Sequence, residues 1–319
     1  MKFEIAHRTI YRYAVPVHDS FNEARLQPFS NALQTVDYFL LKVLPAARLQ
    51  HHHDFYSNTI HHFEITEPHL TLLVESHLRV TTRPPVWPDP AATPWPLARI
   101  GEALRESRVF DFLQESHYVE LSPEVWRLAL DATAGLTDTW QAALALLRFV
   151  HASFKYESRS TTVHTHMRDV LQERRGVCQD FAHVLIGLCR SLKIPALYVS
   201  GYLATEVASA THAWVEVLLP GTGWVGLDPT NNLVAHHRHI RTAVGRDYAD
   251  VPPTHGIFRG KTDSELYVAV HVEASEQPPA LDRKMPIPED WSVLVERAQQ
   301  PPAPAVPFID MQQVQQQQQ

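Results

Sequence analysis

The sequence predicts an α+β protein in which a β-rich N-terminal domain precedes a mixed core and a proline- and glutamine-rich tail. Short β-branched and aromatic runs such as VDYFLLKVLP and LTLLVESHLRVTT dominate the first 83 residues. Apolar residues at helical spacing follow in SPEVWRLALDAT and TDTWQAALALLRFVHASF. The pattern then returns to strands, ALYVSGYLA, HAWVEVLLP and GWVGLD. Helices grouped between two β-rich regions are typical of the α+β class.

Composition divides the chain into four segments. Residues 1–83 form the predicted N-terminal domain, and residues 84–97 form a proline-rich linker, PPVWPDPAATPWPL, that can continue neither a helix nor a β-ladder. Residues 98–273 form the predicted catalytic core. Residues 274–319 end in QQVQQQQQ and are expected to be disordered, because they hold too little apolar surface to offset the entropy of ordering.

Turn and capping residues mark the individual elements. The segment DFYSN, beginning at Asp54, predicts a hairpin turn between two N-terminal strands. Ser122 before Pro123 predicts the start of one helix, and Thr137 or Asp138 is an expected N-cap for the next. The segment PLARIGEALRESRVFDFLQES is predicted to be helical, as is GVCQDFAHVLIGLCRSLKI. A last strand, SELYVAVHVE, closes the ordered part of the chain.

Length and charge exclude several classes of protein. The 319 residues are enough for about two domains with a large core. The formal net charge of −7 argues against a nucleic-acid partner, whose binding protein would be basic. No apolar run is long enough to cross a bilayer, and the N-terminus MKFEIAHRTIYRYAVPV is not a secretion signal. We therefore expect a cytoplasmic protein with no membrane partner.

Cys178 is the sharpest candidate for chemistry. It follows the glycine turn of GVCQDFAH at the first turn of an apolar helix, and Arg174 and Arg175 precede that turn. Unpaired N–H groups at a helix N-terminus favour a thiolate and can hold the oxyanion formed when it attacks a carbonyl. A buried structural cysteine is the alternative. Cys189 stands eleven residues away on the same predicted helix, about 16 Å along its axis, which is too far for a disulfide.

A cysteine nucleophile needs a base, and the base needs an orienting group. His212 opens the strand of THAWVEV, and Asp228 ends the strand of GWVGLD, where Pro229 stops it. A turn separates the two strands, so antiparallel pairing is the simplest arrangement. That pairing would bring His212 and Asp228 together as an imidazole base and its carboxylate partner.

Three blocks of sequence in this order resemble the transglutaminase-like superfamily, in its bacterial branch with a β-rich N-terminal region. They are GVCQDFAH with LCRSLKIPALYVSGYL, then HAWVEVLLPGTGWVGLDPTNN, and then GRDYADVPPTHGIFRG. The resemblance covers about residues 140–273 closely. It implies a papain-like fold, with a nucleophile helix packed on an antiparallel sheet. Carried over by position, it implies that Cys178 is the nucleophile, His212 the base and Asp228 the orienting acid.

The resemblance also implies a reaction class. Members attack amide or related acyl bonds through a thioester, and then either hydrolyse it or pass the acyl group to an amine. We expect a peptidase or amidase acting on a protein or peptide, because water is the abundant acceptor and no dedicated amine site is visible. A protein-glutamine transglutaminase is the first alternative. A non-catalytic binding module is the second, although the intact Cys178, His212 and Asp228 count against it. Oligomeric state stays open.

Further residues near these three are weaker candidates. Gln179 and Asp180 could line the cleft or support the site, but complementing the helix dipole in the first turn is the favoured role. Trp214 and Trp224 could form the walls of an acyl-binding cleft, although aromatic residues in a sheet more often belong to the core. Tyr202 could also face the active site.

We expect no metal and no cofactor. The runs His51–His53 and His61–His62 place adjacent side chains on opposite strand faces, so solvated histidines are the favoured interpretation. The same interpretation applies to the run His236–His239. The chain contains no HExxH, no Walker loop, no GxGxxG and no EF-hand pattern, and a calcium requirement is therefore unsupported.

Overall fold

The computed structural model describes residues 1–85, 89, 91–92, 94–103, 109–158, 160–162, 164–205 and 211–276. Most of the tail predicted to be disordered lies outside these residues, as does the middle of the linker. Within the described residues, every helix is too short or too polar to cross a bilayer.

The N-terminal domain is a sheet organised around one very long strand. Its strands, in chain order, are β1 (Lys2–Gln27), β2 (Gln34–Leu44), β3 (Gln50–His53), β4 (Thr59–Ile65) and β5 (His69–Thr82). They lie in the order β2-β5-β1-β4-β3. The first half of β1 pairs with β5 and its second half pairs with β4, with a register shift between Arg12 and Val17. One strand therefore belongs to two stretches of curved sheet. The predicted DFYSN turn lies between β3 and β4, as expected.

The helices form the layer that supports the candidate nucleophile. They are α1 (Ile100–Ala103), α2 (Pro123–Ala132), α3 (Thr139–Ser153), α4 (Met167–Glu173) and α5 (Cys178–Ser191). The predicted caps are confirmed, because the Ser122 side chain accepts from Val125 N and the Asp138 side chain accepts from Gln141 N. The segment predicted to be helical before α2 is helical only at α1 and in short 3₁₀ turns, Leu97–Arg99 and Phe110–Leu113, with residues 104–108 outside the described part.

A five-stranded antiparallel sheet faces these helices. A short parallel pair, β6 (Lys155–Tyr156) and β7 (Arg175–Gly176), leads into α5. The larger sheet consists of β8 (Ala196–Leu203), β9 (Thr211–Leu219), β10 (Gly223–Asp228), β11 (Leu233–Val234) and β12 (His239–Gly245), in the order β11-β10-β9-β8-β12. Helix α5 is buried along nearly its whole length and packs on β8 and β9, with α2, α3 and α4 around it. This is the expected arrangement of a helix on an antiparallel sheet.

The last two strands correct the predicted domain boundary. The sequence assigned residues 98–273 to the core, but β13 (Thr254–Arg259) and β14 (Ser264–Ala274) pair with β1 in the N-terminal sheet. The reason is that β1 pairs with β5 along only one edge of its first half, and β14 occupies the other edge from Phe3 to Tyr13. Pairing across such a sequence separation leaves no local signal.

Two side-chain amides join the N-terminal domain to strand β12 of the core. Asn58, which is fully buried, donates to the Val244 carbonyl at 2.7 Å and accepts from the Val244 N–H at 2.8 Å. Gln34 makes the same pair of bonds with the backbone of Arg241, at 2.8 and 3.0 Å. These bonds satisfy backbone groups of β12 that its partner β8 does not reach. The N-terminal domain therefore covers the β12 edge of the core sheet.

Candidate active site

Cys178 is the first residue of α5, and the turn before it is held by a buried carboxylate. Asp180 accepts from the Val177 N–H at 2.7 Å and from the Thr161 hydroxyl at 2.6 Å. A Cβ at Gly176 would lie 2.6 Å from an Asp180 carboxylate oxygen, so only glycine allows this close approach. Helix geometry leaves the Cys178 N–H without an acceptor inside the helix. The thiol and a free N–H donor therefore lie at the same point.

His212 is the second residue of β9 and lies between the other two predicted site residues. Strands β9 and β10 pair antiparallel, as predicted, up to the pair Val215–Leu227. The His212 Nε2 lies 2.8 Å from the Asp228 Oδ2, and the ring also hydrogen-bonds the Cys178 side chain. With Nε2 directed at Asp228, Nδ1 is the nitrogen left for the sulfur. The structure thus places Cys178, His212 and Asp228 in a row.

Asp228 has no exposed surface and accepts hydrogen bonds on both oxygens. Oδ2 accepts from His212, from His239 Nε2 at 3.1 Å and from Asn231 Nδ2 at 2.8 Å. Oδ1 accepts from the backbone N–H groups of Thr230 and Asn231, at 3.0 and 3.1 Å. A buried carboxylate surrounded by donors remains ionised and cannot rotate without breaking several bonds.

The two titratable partners shift in opposite directions. Burial alone would lower the pKa of His212, but its hydrogen bonds and charge interactions with Asp228 and Cys178 outweigh burial and raise that pKa to about 10. Burial alone would raise the pKa of Asp228, but hydrogen bonds from His212 and His239 hold it well below its usual range. At neutral pH the site therefore holds an imidazolium beside a carboxylate, next to the thiol.

The weaker candidates are distributed differently. The Trp214 ring stacks on the His212 ring with centroids 6.2 Å apart, and Trp214 is only 2% exposed, so it supports the base from the sheet. Trp224 is partly buried, packs edge-on against Phe112 at 5.4 Å, and borders a narrow groove between the sheet and the N-terminal domain. Gln179 is buried at the second position of α5, and Asp180 fills the capping role described above.

Tyr202 occupies a different place from the expected one. It is buried at the junction of the two domains, where its hydroxyl lies 2.9 Å from His7 Nδ1 and its ring packs with Phe3 and Ile5. The expectation that Tyr202 faces the active site is therefore corrected. The side chain of Tyr202 meets the N-terminal sheet, whose position the local sequence does not reveal.

The interpretation of the run His236–His239 as solvated histidines is wrong for His239. Its side chain is 2% exposed and contacts Asp228, although β12 and β10 are separated by two strands in the sheet. Asn231, the other side-chain donor to Asp228, was also missed. A weak signal existed, since Asn231 follows Asp228 by three residues and is within reach of an Asx-type turn. No comparable local signal pointed to His239.

Metal binding by this cluster is disfavoured by its hydrogen bonds. One ligand atom from each of His212, Asp228 and His239 lies within 4.8 Å of the others. The His239 Nδ1, however, accepts from the His236 N–H at 3.2 Å, so the ring proton belongs on Nε2, the atom that would have to bind the metal. Among the earlier histidines, His51–His53 are exposed, whereas His61 is buried beside Phe39.

The charge of Cys178 affects the pKa of two tyrosines that the sequence analysis did not single out. Burial, and then the charge of Cys178, raises the pKa of Tyr156, which lies on β6 and is half exposed. Burial, and then the charge of Cys178, also raises the pKa of Tyr198 on β8. Cys178 therefore interacts electrostatically with one half-exposed and one buried tyrosine.

Two family models match different parts of this chain, and several known proteins are similar to it. Residues 127–229 match the sequence model of the transglutaminase-like superfamily, and residues 3–81 match that of the bacterial transglutaminase-like N-terminal region. An uncharacterized protein of Mycobacterium tuberculosis is 35% identical over 290 residues, covering 85% of this chain and 92% of its own. An uncharacterized protein of Mycobacterium leprae is 33% identical over 279 residues, covering 85% and 98%.

Two further proteins are similar to this chain. A candidate cysteine protease from Cytophaga hutchinsonii has a solved structure with a TM-score of 0.74 and 25% identity, covering 88% of this chain and 93% of that one. A protein-glutamine gamma-glutamyltransferase of Pseudomonas aeruginosa is 32% identical over 100 residues, which are 28% of this chain and 15% of that protein. Together with the full-length relatives, these matches show that the chain belongs to the transglutaminase-like superfamily, with the papain-like core and the bacterial N-terminal region of that family.

Proposed function

We propose that this protein is a cysteine-dependent hydrolase that cleaves amide or peptide bonds through a thioester on Cys178. The observation that carries the proposal is the position of His212, which hydrogen-bonds the Cys178 side chain on one side and the buried Asp228 on the other. Nucleophile, base and orienting acid in one row is the arrangement that thiol acyl transfer requires.

Acylation uses the groups at the start of α5 and β9. The Cys178 thiolate attacks the substrate carbonyl carbon, and the Cys178 backbone N–H donates to the resulting oxyanion. His212, protonated at neutral pH, gives its Nδ1 proton to the departing amine as the carbon–nitrogen bond breaks. The products of this half are a thioester on Cys178 and the free amine. Asp228 holds the ring orientation and stabilises the imidazolium throughout.

In deacylation, His212 acts as a base, whereas in acylation it acts as an acid. Neutral His212 takes a proton from water, the hydroxide oxygen attacks the thioester carbonyl, and the carbon–sulfur bond breaks to release a carboxylic acid. The Cys178 sulfur leaves as thiolate and His212 is again protonated. Water needs no binding site of its own, which favours hydrolysis of a protein or peptide substrate.

Acyl transfer to an amine is the second candidate. It uses the same thioester, with an amine in place of water. It is supported by the local match to a Pseudomonas aeruginosa protein that is named as a protein-glutamine gamma-glutamyltransferase. The two reactions differ only in the second step, so one experiment can separate them.

The experiment supplies blocked glutaminyl and peptide-amide substrates with and without a primary amine, and measures released ammonia or amine, free acid and amine adduct. We expect free acid as the main product, and no product with Cys178→Ala. Cys189→Ala is the matched control, because Cys189 is fully buried within the same helix. Adduct in excess of acid would favour the transferase. No turnover of any substrate, with Cys178 unreactive towards iodoacetamide, would support the non-catalytic binding module.

A further inference from the structure

His239 is a buried imidazole for which the reaction above has no direct use. Its side chain is 2% exposed, and its Nε2 lies 3.1 Å from the Asp228 Oδ2, the same oxygen that His212 contacts. It opens β12, whose backbone is clamped to the N-terminal domain by the Gln34 amide two residues later, at Arg241. The ring is therefore carried by a strand that two independent parts of the molecule hold in place.

The hydrogen bonds of His239 define its tautomer. Its Nδ1 accepts from the His236 backbone N–H at 3.2 Å, and a backbone N–H can only donate. The His239 backbone N–H in turn bonds the His236 carbonyl at 2.9 Å, which closes a tight turn around the ring. The neutral ring then carries its proton on Nε2 and donates it to Asp228.

We propose that His239 is a positioning residue that acts on His212 through Asp228. This inference rests on the function proposed above, and it adds a fourth residue to the row of Cys178, His212 and Asp228. By donating to Oδ2, His239 holds that oxygen in the plane where it meets His212 Nε2. Asn231 donates to the same oxygen at 2.8 Å, so Oδ2 accepts from these two side chains in addition to His212.

Trp214 packs against both imidazoles. Its ring stacks on His212 and meets the His239 ring edge-on, with the centroids of Trp214 and His239 5.1 Å apart. The titratable groups that contact or act on His212 include Asp228 of β10, Cys178 of α5 and His239 of β12, whose ring centroid lies 6.1 Å from that of His212. The hydrogen bonds that link His239 to His212 pass through their shared acceptor, Asp228 Oδ2.

The test measures Cys178 alkylation by iodoacetamide between pH 5 and 9, together with kcat and KM on whichever amide substrate the full-length enzyme turns over. The variants are His239→Leu, which removes the donor, and His239→Gln, which replaces it, all in a Cys189→Ala background. His237→Leu is the matched control, since His237 stands in the same turn and contacts the His236 ring. Circular dichroism and thermal melting report folding for each variant.

We expect His239→Leu to lower kcat by about 10- to 100-fold with KM little changed. Losses of this size are typical when a residue that orients a functional histidine is removed, as at metal sites in other proteins. His239→Leu should also lower the labelling rate at pH 6, and His239→Gln should recover most of both losses. If folded His239→Leu keeps the wild-type labelling profile and kcat, the proposal is overturned. If His212→Ala, measured beside these variants, labels at pH 6 as fast as the wild type, both this proposal and the proposed function fail.

A second measurement uses the wild-type protein, so it does not depend on whether His239→Leu folds. Nitrogen NMR of histidine-labelled protein, with the His239 signals identified by their loss in His239→Gln, reports which ring nitrogen carries the proton. A protonated Nε2 and an unprotonated Nδ1 at neutral pH support the donor role. The opposite tautomer would overturn it even where wild-type labelling does depend on His212.

Discussion

Replacing Asp228 by asparagine is the sharpest test of the proposed catalytic row, because the change keeps the shape of the side chain and removes its charge. The amide has one oxygen and one donor, whereas the carboxylate accepts on both sides. If the amide nitrogen takes the place of Oδ2, it faces three donors, from His212, His239 and Asn231. If it takes the place of Oδ1, it faces the N–H groups of Thr230 and Asn231. Either orientation leaves buried donors unsatisfied.

The expected magnitude follows from the proton on His212. Asp228 is the first of the two partners that raise the pKa of His212 to about 10 against burial. Without that carboxylate the pKa should return to about 6.5 or below, so at about pH 7.5 the protonated share of His212 falls from nearly all to about a tenth. Because the imidazolium favours the thiolate, the labelling rate of Cys178 at this pH should fall about tenfold. Turnover should fall further, by about 10²- to 10⁴-fold, because the ring orientation is lost as well.

The assay compares Asp228→Asn with Asp131→Asn in the Cys189→Ala background. Asp131 is exposed on α2 and serves as the matched control. Labelling rates with iodoacetamide are recorded from pH 5 to 9, beside kcat/KM for the amide substrate. An Asp228→Asn protein that folds, labels with the wild-type pH profile and retains turnover within a few-fold would refute the reasoning.

Three further predictions concern stability. Asn58→Ala removes both bonds to the Val244 backbone and should lower the free energy of unfolding in urea by about 2–4 kcal/mol, whereas a loss below about 0.5 kcal/mol would contradict the clamp. Gly201→Ala would place a Cβ 2.1 Å from the Ile240 carbonyl oxygen and should cost about 1–3 kcal/mol or more; an unchanged melting temperature would argue against this close approach. Burial lowers the pKa of His7 to about 4, so the unfolded chain binds this proton first as pH falls, and stability present above about pH 6.5 is lost towards pH 4. His7→Gln should therefore lose about 2–3 kcal/mol less than the wild type between pH 7 and pH 4.5; equal losses in urea titrations would show that His7 is not the group responsible.

The sequence by itself determined the local features of the site. A glycine turn before an apolar helix defined the position of Cys178, and two strands joined by a short turn brought His212 and Asp228 together. The structure has these positions as predicted, because the relevant signals lie within about twenty residues of each other, where periodicity, capping and turn residues act directly. The same kind of signal predicted the helix starts at Ser122 and Asp138.

The tertiary structure alone decided which distant segments complete the site and the domains. Strand β14 returns to β1 across more than 250 residues, and its alternating sequence is equally compatible with either sheet. Tyr202 faces His7 only because the N-terminal sheet covers that side of β8. The sequence places His239 in a run of histidines predicted to be solvated, yet its side chain reaches Asp228 from a strand that two other strands separate from β10. Periodicity assigns a side chain to one face of a strand, but the partner across that face depends on how the elements pack.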